Sequence, residues 1–345
     1  MKKIILWWGR FDEDYSRNRI IRNAMIRLGY EIRDFKPFLS SFGYVQALFC
    51  INFLPSLIWV PCFRHRDLTS AKRWSMKHKI PIIFDPLISS WDKKINERQK
   101  YLTSDSKSLK IKKDESKIFK MANLIIADTF AHKTFFSNAF NIKQNKISVI
   151  YVGAEESIFY PRINKKKYRK KEILFYGSFL ELHGISVIHD AIKKDSSNSI
   201  NWTLLGDYEK YKPLVKKSNV NYESSIPYHL LPERISKADI LLGIFSNSQK
   251  ANNVIPNKVF QAMACGKPII TRYGDGYPNQ IKNNKSGIFF VKANDSDSLL
   301  NTIYSLITND DRLIKAGKAS REAYKKYFAE ELIENQIKSV LEKFC

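Results

Sequence analysis

The stretch 253–271 reads NVIPNKVFQAMACGKPIIT and combines a helix start, a helix end and an apolar run. Asn257, preceded by Pro256, is suited to cap a helix, and Gly266 is suited to the left-handed residue that follows a helix end. The apolar run 268–271 then predicts a buried strand. A helix between a loop and a buried strand presents the free N–H groups of its first turn at the edge of a sheet. Such a helix end favours an anion such as a diphosphate.

Outward from this stretch, short apolar runs alternate with helical patterns along the chain, which is typical of parallel α/β sheets. The strands predicted in the first half are 3–8, 30–35, 57–60, 80–84, 124–127 and 147–151. Those predicted in the second half are 172–176, 202–205, 220–222, 240–245, 268–271 and 288–291. The predicted helices include 43–53, 107–122, 129–139, 185–194, 209–217, 230–237, 257–265, 296–308, 311–327 and 330–344.

The length of 345 residues is suited to two domains. The strand–helix pattern restarts after a basic run at 161–171, which predicts a linker. We therefore expect two Rossmann-like, doubly wound parallel-sheet domains at 1–160 and 172–329. A last helix, 330–345, is expected to pack back toward the first domain. Domains of this kind bind ligands at the carboxyl ends of their strands, so a cleft between the two domains is the expected site.

The stretch 253–271 resembles the donor-binding motif of the family 4 glycosyltransferases, P-N-K-V-x-E-A-L-A-x-G-K-P. Other segments resemble further parts of that family in the same order. They are KISVIYVGA (146–154) with FYP (159–161), FYGSF (175–179) with LHGI (182–185), LLGD (204–207), IPY (226–228) with LP (231–232), and ADI (238–240). The resemblance is strong over 120–345 and weaker over 1–120. It implies the GT-B fold and a retaining, metal-independent transferase of bacterial surface-polysaccharide or lipopolysaccharide synthesis.

The resemblance also implies a donor site for a UDP- or GDP-sugar, which is a substrate, so no cofactor is expected. The residues that it assigns to the donor lie in the first loop of the second domain, at the next strand end, in the base-binding loop and in the stretch 253–271. They are Gly177, Ser178, His183, Gly206, Ile226, Asn257, Lys258 and Gln261.

Two glutamates that the family usually carries are replaced here by Asn253 and Gln261. The second glutamate normally accepts hydrogen bonds from the ribose, and Gln261 keeps an acceptor oxygen without the charge. A charge-assisted hydrogen bond contributes ~1.5–3 kcal/mol and a neutral one ~0.5–1.5. The first glutamate normally faces the transferred sugar, which makes Asn253 a catalytic candidate. Two other interpretations remain open, in which Lys258 and Gln261 are solvated residues of a helix.

The loop after the first predicted strand, GRFDEDYSRN, contains two more donor-binding candidates, Gly9 and Arg10. Gly9 lets the backbone approach a ligand, and Arg10 together with Arg17 is suited to bidentate phosphate binding. The Asp-x-Asp sequence in this loop is similar to the metal motif of the other glycosyltransferase fold. Its position after a first strand argues against a metal site.

Two side chains of the first half are catalytic candidates, Asp85 and His132. Asp85 ends the fourth predicted strand, where related enzymes often carry a catalytic histidine. It is a candidate sugar ligand or acceptor-side base, with a turn cap as the alternative. His132 begins a predicted helix on the same side, with a structural role as the alternative.

The formal net charge is +24, and it is spread over both halves of the chain. Such a surface attracts phosphorylated substrates, anionic lipid or nucleic acid, although it also aids solubility alone. No helix-turn-helix, zinc-finger or RNA-binding aromatic motif is present, so nucleic acid is not an expected partner. The uncharged stretch 37–63 and the basic pattern at 107–120 predict reversible docking on an anionic membrane surface. A transmembrane helix within 37–63 is the alternative.

The four cysteines are Cys50, Cys62, Cys265 and Cys345, without a C-x-x-C pair. This spacing and the short apolar run after Met1 predict a cytoplasmic protein, bound peripherally at the inner membrane face. The expected function is transfer of a sugar to a glycan or lipid-linked acceptor. Two alternatives remain: a sugar-nucleotide epimerase on the same fold, and a degenerate, non-catalytic sugar-nucleotide-binding protein.

Overall fold

The computed structural model describes residues 3–97, 100–162, 170–211, 214–282 and 285–344. The chain divides into two compact units. The N-terminal unit contains Met1–Gly153 together with Glu330–Cys345, and the C-terminal unit contains Ala154–Ala329. Each unit is built on its own sheet, and the paired strands of both sheets are parallel.

The N-terminal sheet has six strands in the described residues, in the order β2-β1-β3-β4-β5-β6. They are β1 Ile4–Trp8, β2 Glu31–Phe35, β3 Leu57–Val60, β4 Ile82–Phe84, β5 Leu124–Ala127 and β6 Ile147–Val149. The order changes direction between β1 and β3, which makes their carboxyl ends the switch point of this sheet. The flanking helices are α1 Ser16–Arg27, α2 Gly43–Cys50, α3 Leu68–His78, α4 Ser90–Asp92, α5 Ser106–Lys120 and α6 Phe130–Phe140.

The C-terminal sheet repeats this arrangement in the order β12-β11-β10-β7-β8-β9. Its strands are β7 Lys171–Gly177, β8 Ile200–Gly206, β9 Val220–Glu223, β10 Ile240–Leu242, β11 Ile269–Arg272 and β12 Ile288–Val291. The order changes direction between β7 and β10. The helices of this unit are α7 Ile185–Lys194, α8 Leu231–Ser236, α9 Gln249–Asn253, α10 Asn257–Ala264, α11 Ser296–Ile307 and α12 Asp310–Tyr327.

The last helix, α13 Glu330–Leu341, packs on α1 in the N-terminal unit. Ile333 and Ile337 are buried in one core cluster with Ile20 and Met25 of α1. At the edge of this contact, Arg27 Nε donates to Glu334 Oε2 at 2.6 Å. The helix therefore supplies one wall of a core whose other residues lie more than 180 positions earlier in the chain.

The boundary between the units lies between Gly153 and Ala154, earlier than the expected end of the first domain at 160. The segment after Gly153 is held by the C-terminal unit, because the Tyr324 hydroxyl donates to the Ala154 carbonyl at 3.1 Å. Phe159 is buried against Tyr228 in the same unit. Most of the expected linker 161–171 falls on residues 163–169, which lie outside the described residues.

The predicted strands are confirmed, with ends that shift by at most three residues. The prediction of a helix over 209–217 is wrong: the described part contains a single 3-10 turn, Tyr208–Lys210. Lys217 Nζ instead donates to the carbonyls of Ile192, Lys193 and Asp195, each at 2.8 Å. These carbonyls lie at the end of α7, so the segment is drawn out to cap a neighbouring helix.

The uncharged stretch 37–63 forms α2 and β3, as its sequence pattern indicates. Across the described ranges, no helix is long and apolar enough to cross a membrane, and the transmembrane alternative for this stretch is therefore wrong.

Candidate functional site

The carboxyl edge of the C-terminal sheet brings two glycine strand ends together. Gly177 at the end of β7 pairs with Gly206 at the end of β8. Gly206 has φ +141°, and a Cβ there would lie 1.8 Å from the Gly177 carbonyl oxygen. Only glycine therefore fits at 206, and the two strand ends stay in close contact at the edge where a parallel sheet binds its ligands.

Lys258 lies in the first turn of α10 and is 5% exposed. Its Nζ lies 3.9 Å from the centroid of the Phe175 ring, and among the described residues it has no hydrogen-bond partner. A Cβ at Gly177 would lie 3.2 Å from this nitrogen, so the ammonium group is at the strand end. Burial lowers the pKa of Lys258 well below its ordinary value of 10.5.

His183 meets Lys258 at the same strand end. Its Nδ1 is buried without a hydrogen-bond partner in the described part of the chain, and a Cβ at Gly177 would lie 3.0 Å from its Cε1. Burial, together with smaller contributions from the charges of Lys258 and Lys250, lowers the pKa of His183 to about 2. The imidazole is therefore neutral at working pH. It can exchange a hydrogen bond with a ligand, but it adds no charge to the site.

The N-terminus of α10 differs in detail from the expectation. Pro256 occupies the cap position and Asn257 is the first helical residue, so Asn257 is not the cap. No side chain at the cap position accepts a hydrogen bond from the first turn. The cap residue Pro256 therefore satisfies none of the first-turn N–H groups through its side chain, and this helix end lies next to the buried ammonium group of Lys258.

Gln261 lies one turn further along α10 and is buried. Its Oε1 accepts a hydrogen bond from the Tyr176 hydroxyl at 2.9 Å, and that hydroxyl also lies 3.3 Å from the Lys258 carbonyl oxygen. Burial raises the pKa of Tyr176 well above its ordinary value, so the hydroxyl stays protonated and donates. The burial of Lys258 and Gln261 contradicts the interpretation of either as a solvated helix residue.

The remaining donor-site candidates differ in their surroundings. Asn253 is the last residue of α9 and is buried, and its Oδ1 accepts from Gln249 Nε2 at 3.2 Å. Ser178 follows Gly177 directly and is exposed. Ile226 is half-buried in the loop after β9, the outer strand of the sheet. Gly177, His183 and Lys258 therefore form the compact centre of the candidate site.

In the N-terminal unit, Asp85 follows β4 and is almost fully buried. Its two carboxylate oxygens accept from Arg17 Nε at 2.7 Å and from Arg17 Nη2 at 2.9 Å. Burial raises the pKa of the Asp85 carboxyl, and the Arg17 guanidinium opposes this rise. Arg17 is itself buried and bound to Asp85, so the expectation that Arg17 meets a phosphate is wrong.

His132 lies in the first turn of α6 and is also buried. Its Nδ1 is 2.5 Å from Oδ1 of Asp128, which directly follows β5, and its backbone N–H donates to Thr129 Oγ1 at 3.0 Å. The ring stacks on Phe136. Asp85, Asp128 and His132 thus form a buried polar group at the carboxyl edge of β4 and β5. Asp128 is a member that the sequence pattern did not single out.

The loop after β1 places its two candidates apart from this buried group. A Cβ at Gly9 would lie 2.8 Å from Cγ of Arg64, so Gly9 is required for the packing of that side chain. Arg10 is exposed and lies against a cavity with Arg66 and Arg73. The Asp-x-Asp sequence forms a local turn, in which the Asp14 N–H donates to Asp12 Oδ1 at 2.9 Å. Within the described ranges no group of three His, Cys, Asp or Glu residues is placed to hold a metal ion.

Comparison with known proteins gives a family for the part of the chain that holds the candidate donor site. Residues 156–326 match the model of the family described as Glycosyl transferases group 1. An uncharacterized glycosyltransferase of Methanocaldococcus jannaschii is 29% identical over 199 residues, which cover 56% of this chain and 52% of that protein. The amylovoran biosynthesis glycosyltransferase AmsK of Erwinia amylovora is 23% identical over 246 residues, which cover 68% of this chain and 60% of that protein. The matched stretches thus span little more than half of these relatives.

Two solved structures share the fold over nearly the whole chain. The Anabaena protein HepE, solved in complex with UDP and glucose, has a TM-score of 0.73 at 14% identity and covers 99% of this chain and 100% of its own. Sucrose-phosphate synthase from Thermosynechococcus elongatus has a TM-score of 0.76 at 14% identity and covers 99% of both chains. The chain therefore has the GT-B fold, and its residues 156–326 match the model of the group 1 glycosyl transferases.

Proposed function

We propose that this protein is a retaining glycosyltransferase that moves a sugar from a UDP- or GDP-sugar to a glycan or lipid-linked acceptor. The observation that carries this proposal is the buried Lys258 Nζ, which has no hydrogen-bond partner in the described residues and lies at the Gly177 strand end. A buried, unpartnered ammonium group is costly, and an anionic ligand would supply its missing partner. The complexes of HepE with UDP and with UDP-glucose support a nucleoside diphosphate as that ligand.

In this proposal the diphosphate lies between Lys258 and the first turn of α10. Lys258 would be protonated there, because a neighbouring diphosphate raises the pKa that burial has lowered. Its charge and the α10 dipole then stabilise the negative charge that grows on the diphosphate as the sugar–phosphate bond breaks. Such stabilisation is strong because the site is fixed and shielded from water. Neutral His183 contributes a hydrogen bond.

The sugar and the ribose would meet two neutral amides, Asn253 and Gln261. The amide oxygen of Gln261 has two lone pairs, of which Tyr176 uses one, so a ribose hydroxyl can use the other. Asn253 would hold a hydroxyl of the transferred sugar. Neither residue can act as a catalytic base, which agrees with front-side displacement, where the leaving diphosphate takes the proton of the acceptor.

For Asp85 and His132 the proposal gives positioning roles in place of direct catalysis. Both are buried and both have close partners, Arg17 and Asp128 respectively. Together they fix the carboxyl edge of β4 and β5, over which an acceptor would bind. The proposed reaction needs neither a metal ion nor a cofactor. The proposed place of action is the cytoplasmic face of a membrane, whose anionic surface would attract the basic protein, and nucleic acid is not a proposed partner.

The test incubates the protein with a panel of UDP- and GDP-sugars, with and without a chelator, and measures the released nucleoside diphosphate. We expect one donor to be cleaved equally well in both conditions. Proton NMR should show the freshly released sugar in the anomeric configuration of the donor. Lys258→Met serves as the inactive control.

Three other outcomes contradict the proposal, and each points elsewhere. Appearance of an epimer of the donor sugar would indicate an epimerase. Calorimetric binding of a nucleotide sugar without turnover, in the presence of candidate acceptors, would indicate a non-catalytic binding protein. Turnover that disappears with the chelator would refute independence of metal.

A further inference from the structure

A cavity of about 600 Å³ lies in the N-terminal unit, and the residues that line it are distant in sequence from Gly177, His183 and Lys258. Three arginines line it: Arg10 follows β1, Arg66 lies between β3 and α3, and Arg73 lies in α3. The carboxyl ends of β1 and β3 are the switch point of this sheet, which is where open α/β sheets bind ligands.

The charge of this cavity is strongly positive. In the described part of the chain, none of the three arginines forms an ion pair. Arg10 Nη1 donates a hydrogen bond to the Phe38 carbonyl oxygen at 3.4 Å. The nearby carboxylate of Asp67 accepts from the Arg10 backbone N–H at 3.4 Å and leaves the guanidinium group unpaired. The hydroxyls of Ser40, Ser41 and Thr69 complete the polar lining. Arginines and hydroxyls in this combination are suited to a phosphate or diphosphate.

An exposed apolar surface adjoins the cavity. We call it the apolar ridge, and it consists of Phe38, Leu39, Phe42, Val45 and Phe49. Phe38 is 81% exposed, Phe42 62% and Phe49 84%, and no charged residue occurs between 37 and 63. Leu39 belongs to both features, since it also lines the cavity. Exposed apolar surface of this extent marks an interaction site.

The ridge is held against the cavity by close packing. Gly43 and Ala47 are the buried residues of α2, and they face α3. A Cβ at Gly43 would lie 2.7 Å from Oγ of Ser70, a residue of the cavity lining. The apolar side chains on the other side of α2 are therefore fixed next to the arginines.

We propose that this cavity binds the phosphate or diphosphate group of a lipid, whose hydrocarbon chain lies along the apolar ridge. A charged head beside an apolar chain is the chemistry that matches three unpaired arginines beside an uncharged apolar helix. The inference rests on the proposed function in one respect: it assigns the linking phosphate of a lipid-linked acceptor to these residues.

The test uses farnesyl diphosphate as a soluble probe, titrated calorimetrically into the full chain, with inorganic diphosphate and farnesol as its two halves. We expect farnesyl diphosphate to bind more tightly than either half. Arg66→Ala/Arg73→Ala should weaken its binding on the order of a hundredfold, because each lost charge-assisted contact costs about tenfold or more. Leu39→Ser/Phe42→Ser should lower the affinity for farnesyl diphosphate toward that of inorganic diphosphate and leave the latter unchanged.

Lys315→Ala/Lys318→Ala is the matched control, because it removes two exposed positive charges from the other unit. Equal loss of affinity in the control and in the arginine variant would show diffuse charge and overturn the proposal. Equal affinities for farnesyl diphosphate and inorganic diphosphate would also overturn it. A third result would overturn the proposal as well: farnesyl diphosphate does not bind, but the protein sediments with phosphatidylglycerol vesicles only when the arginines are present. That result would indicate docking on a bilayer surface. The melting temperature of each variant controls for folding.

UDP titrated into the same proteins separates this inference from the proposed function. We expect the UDP affinity to be equal in all of them, because Gly177, His183 and Lys258, the centre of the candidate donor site, lie in the other unit. If the native protein binds farnesyl diphosphate but not UDP, the proposed donor site is refuted and the proposed lipid site stands. The opposite result would refute the lipid site alone.

Discussion

Replacing Lys258 by methionine should change stability and donor affinity in opposite directions. The Lys258 ammonium group is buried without a hydrogen-bond partner in the described residues, and methionine keeps most of the side-chain volume without the charge. Removing a buried unsatisfied polar group should recover ~1–3 kcal/mol. For a unit of this size that corresponds to a rise in melting temperature of about 2–4 °C per kcal/mol.

The same substitution should weaken binding of UDP or GDP about ten- to a hundredfold, because a charge-assisted contact to the diphosphate contributes ~1.5–3 kcal/mol. Lys267→Met is the matched control within the same unit. Lys267 Nζ donates to the carbonyls of Ser236 and Ala238, each at 2.7 Å, so its loss removes two hydrogen bonds. We expect this control to lower the melting temperature and leave nucleotide affinity unchanged.

The pH dependence gives a second readout of Lys258. Because its pKa in the folded protein lies below the ordinary value of 10.5, the folded state binds fewer protons than the unfolded state between these two values. Stability should therefore rise with pH through that window, and this contribution should be absent in Lys258→Met. UDP binding should take up a proton, seen as a buffer-dependent calorimetric enthalpy. A Lys258→Met protein with unchanged melting temperature and unchanged UDP affinity would refute the reasoning.

Three further predictions concern the donor, the ribose contact and the buried ion pair. UDP or GDP should raise the melting temperature equally with and without a chelator, and stabilisation only in the presence of Mg²⁺ would contradict this. Gln261→Ala should cost ~1–3 kcal/mol of UDP binding while Gln261→Glu should bind as well or better, which calorimetry can measure; three equal affinities would end the ribose assignment. Arg17→Met should lower the urea-derived free energy of unfolding by ~3–5 kcal/mol, because Asp85 is left unpaired. Arg17→Met/Asp85→Leu should recover most of that loss, and an equally unstable double variant would show that packing, and not charge, is responsible.

The sequence predicts the sheets well because buried parallel strands are continuous apolar runs. Leu57–Val60, for example, is recognisable from four apolar residues alone. The segment 209–217 fails for the opposite reason. Its local pattern allows a helix, but Lys217 binds three carbonyls of a helix that lies some 25 residues earlier in the chain. Tertiary contacts of this kind override local propensity.

The sequence motif indicates which residues are candidates for the donor site, but it does not predict which side chains surround them. The motif indicates Lys258 and Gln261, while helical spacing alone places both on an open face. Their burial depends on Tyr176 and Phe175, which lie more than 80 residues earlier and reach them only through the pairing of β7 with β10. Tyr176 gives no sequence signal of its own, since a tyrosine that ends a buried strand is ordinary. Likewise, Asp128 is marked only by its spacing of four residues from His132.

The return of α13 to the N-terminal unit has a consequence for biosynthesis. The ribosome completes β1–β6 long before it makes the residues that close their core, and the intervening stretch 154–329 takes on the order of ten to thirty seconds to translate. During that interval the apolar surface around Ile20 and Met25 is uncovered. The second unit is therefore synthesised before the first is complete, and a chaperone that binds apolar surface would have its target on the earlier-made half.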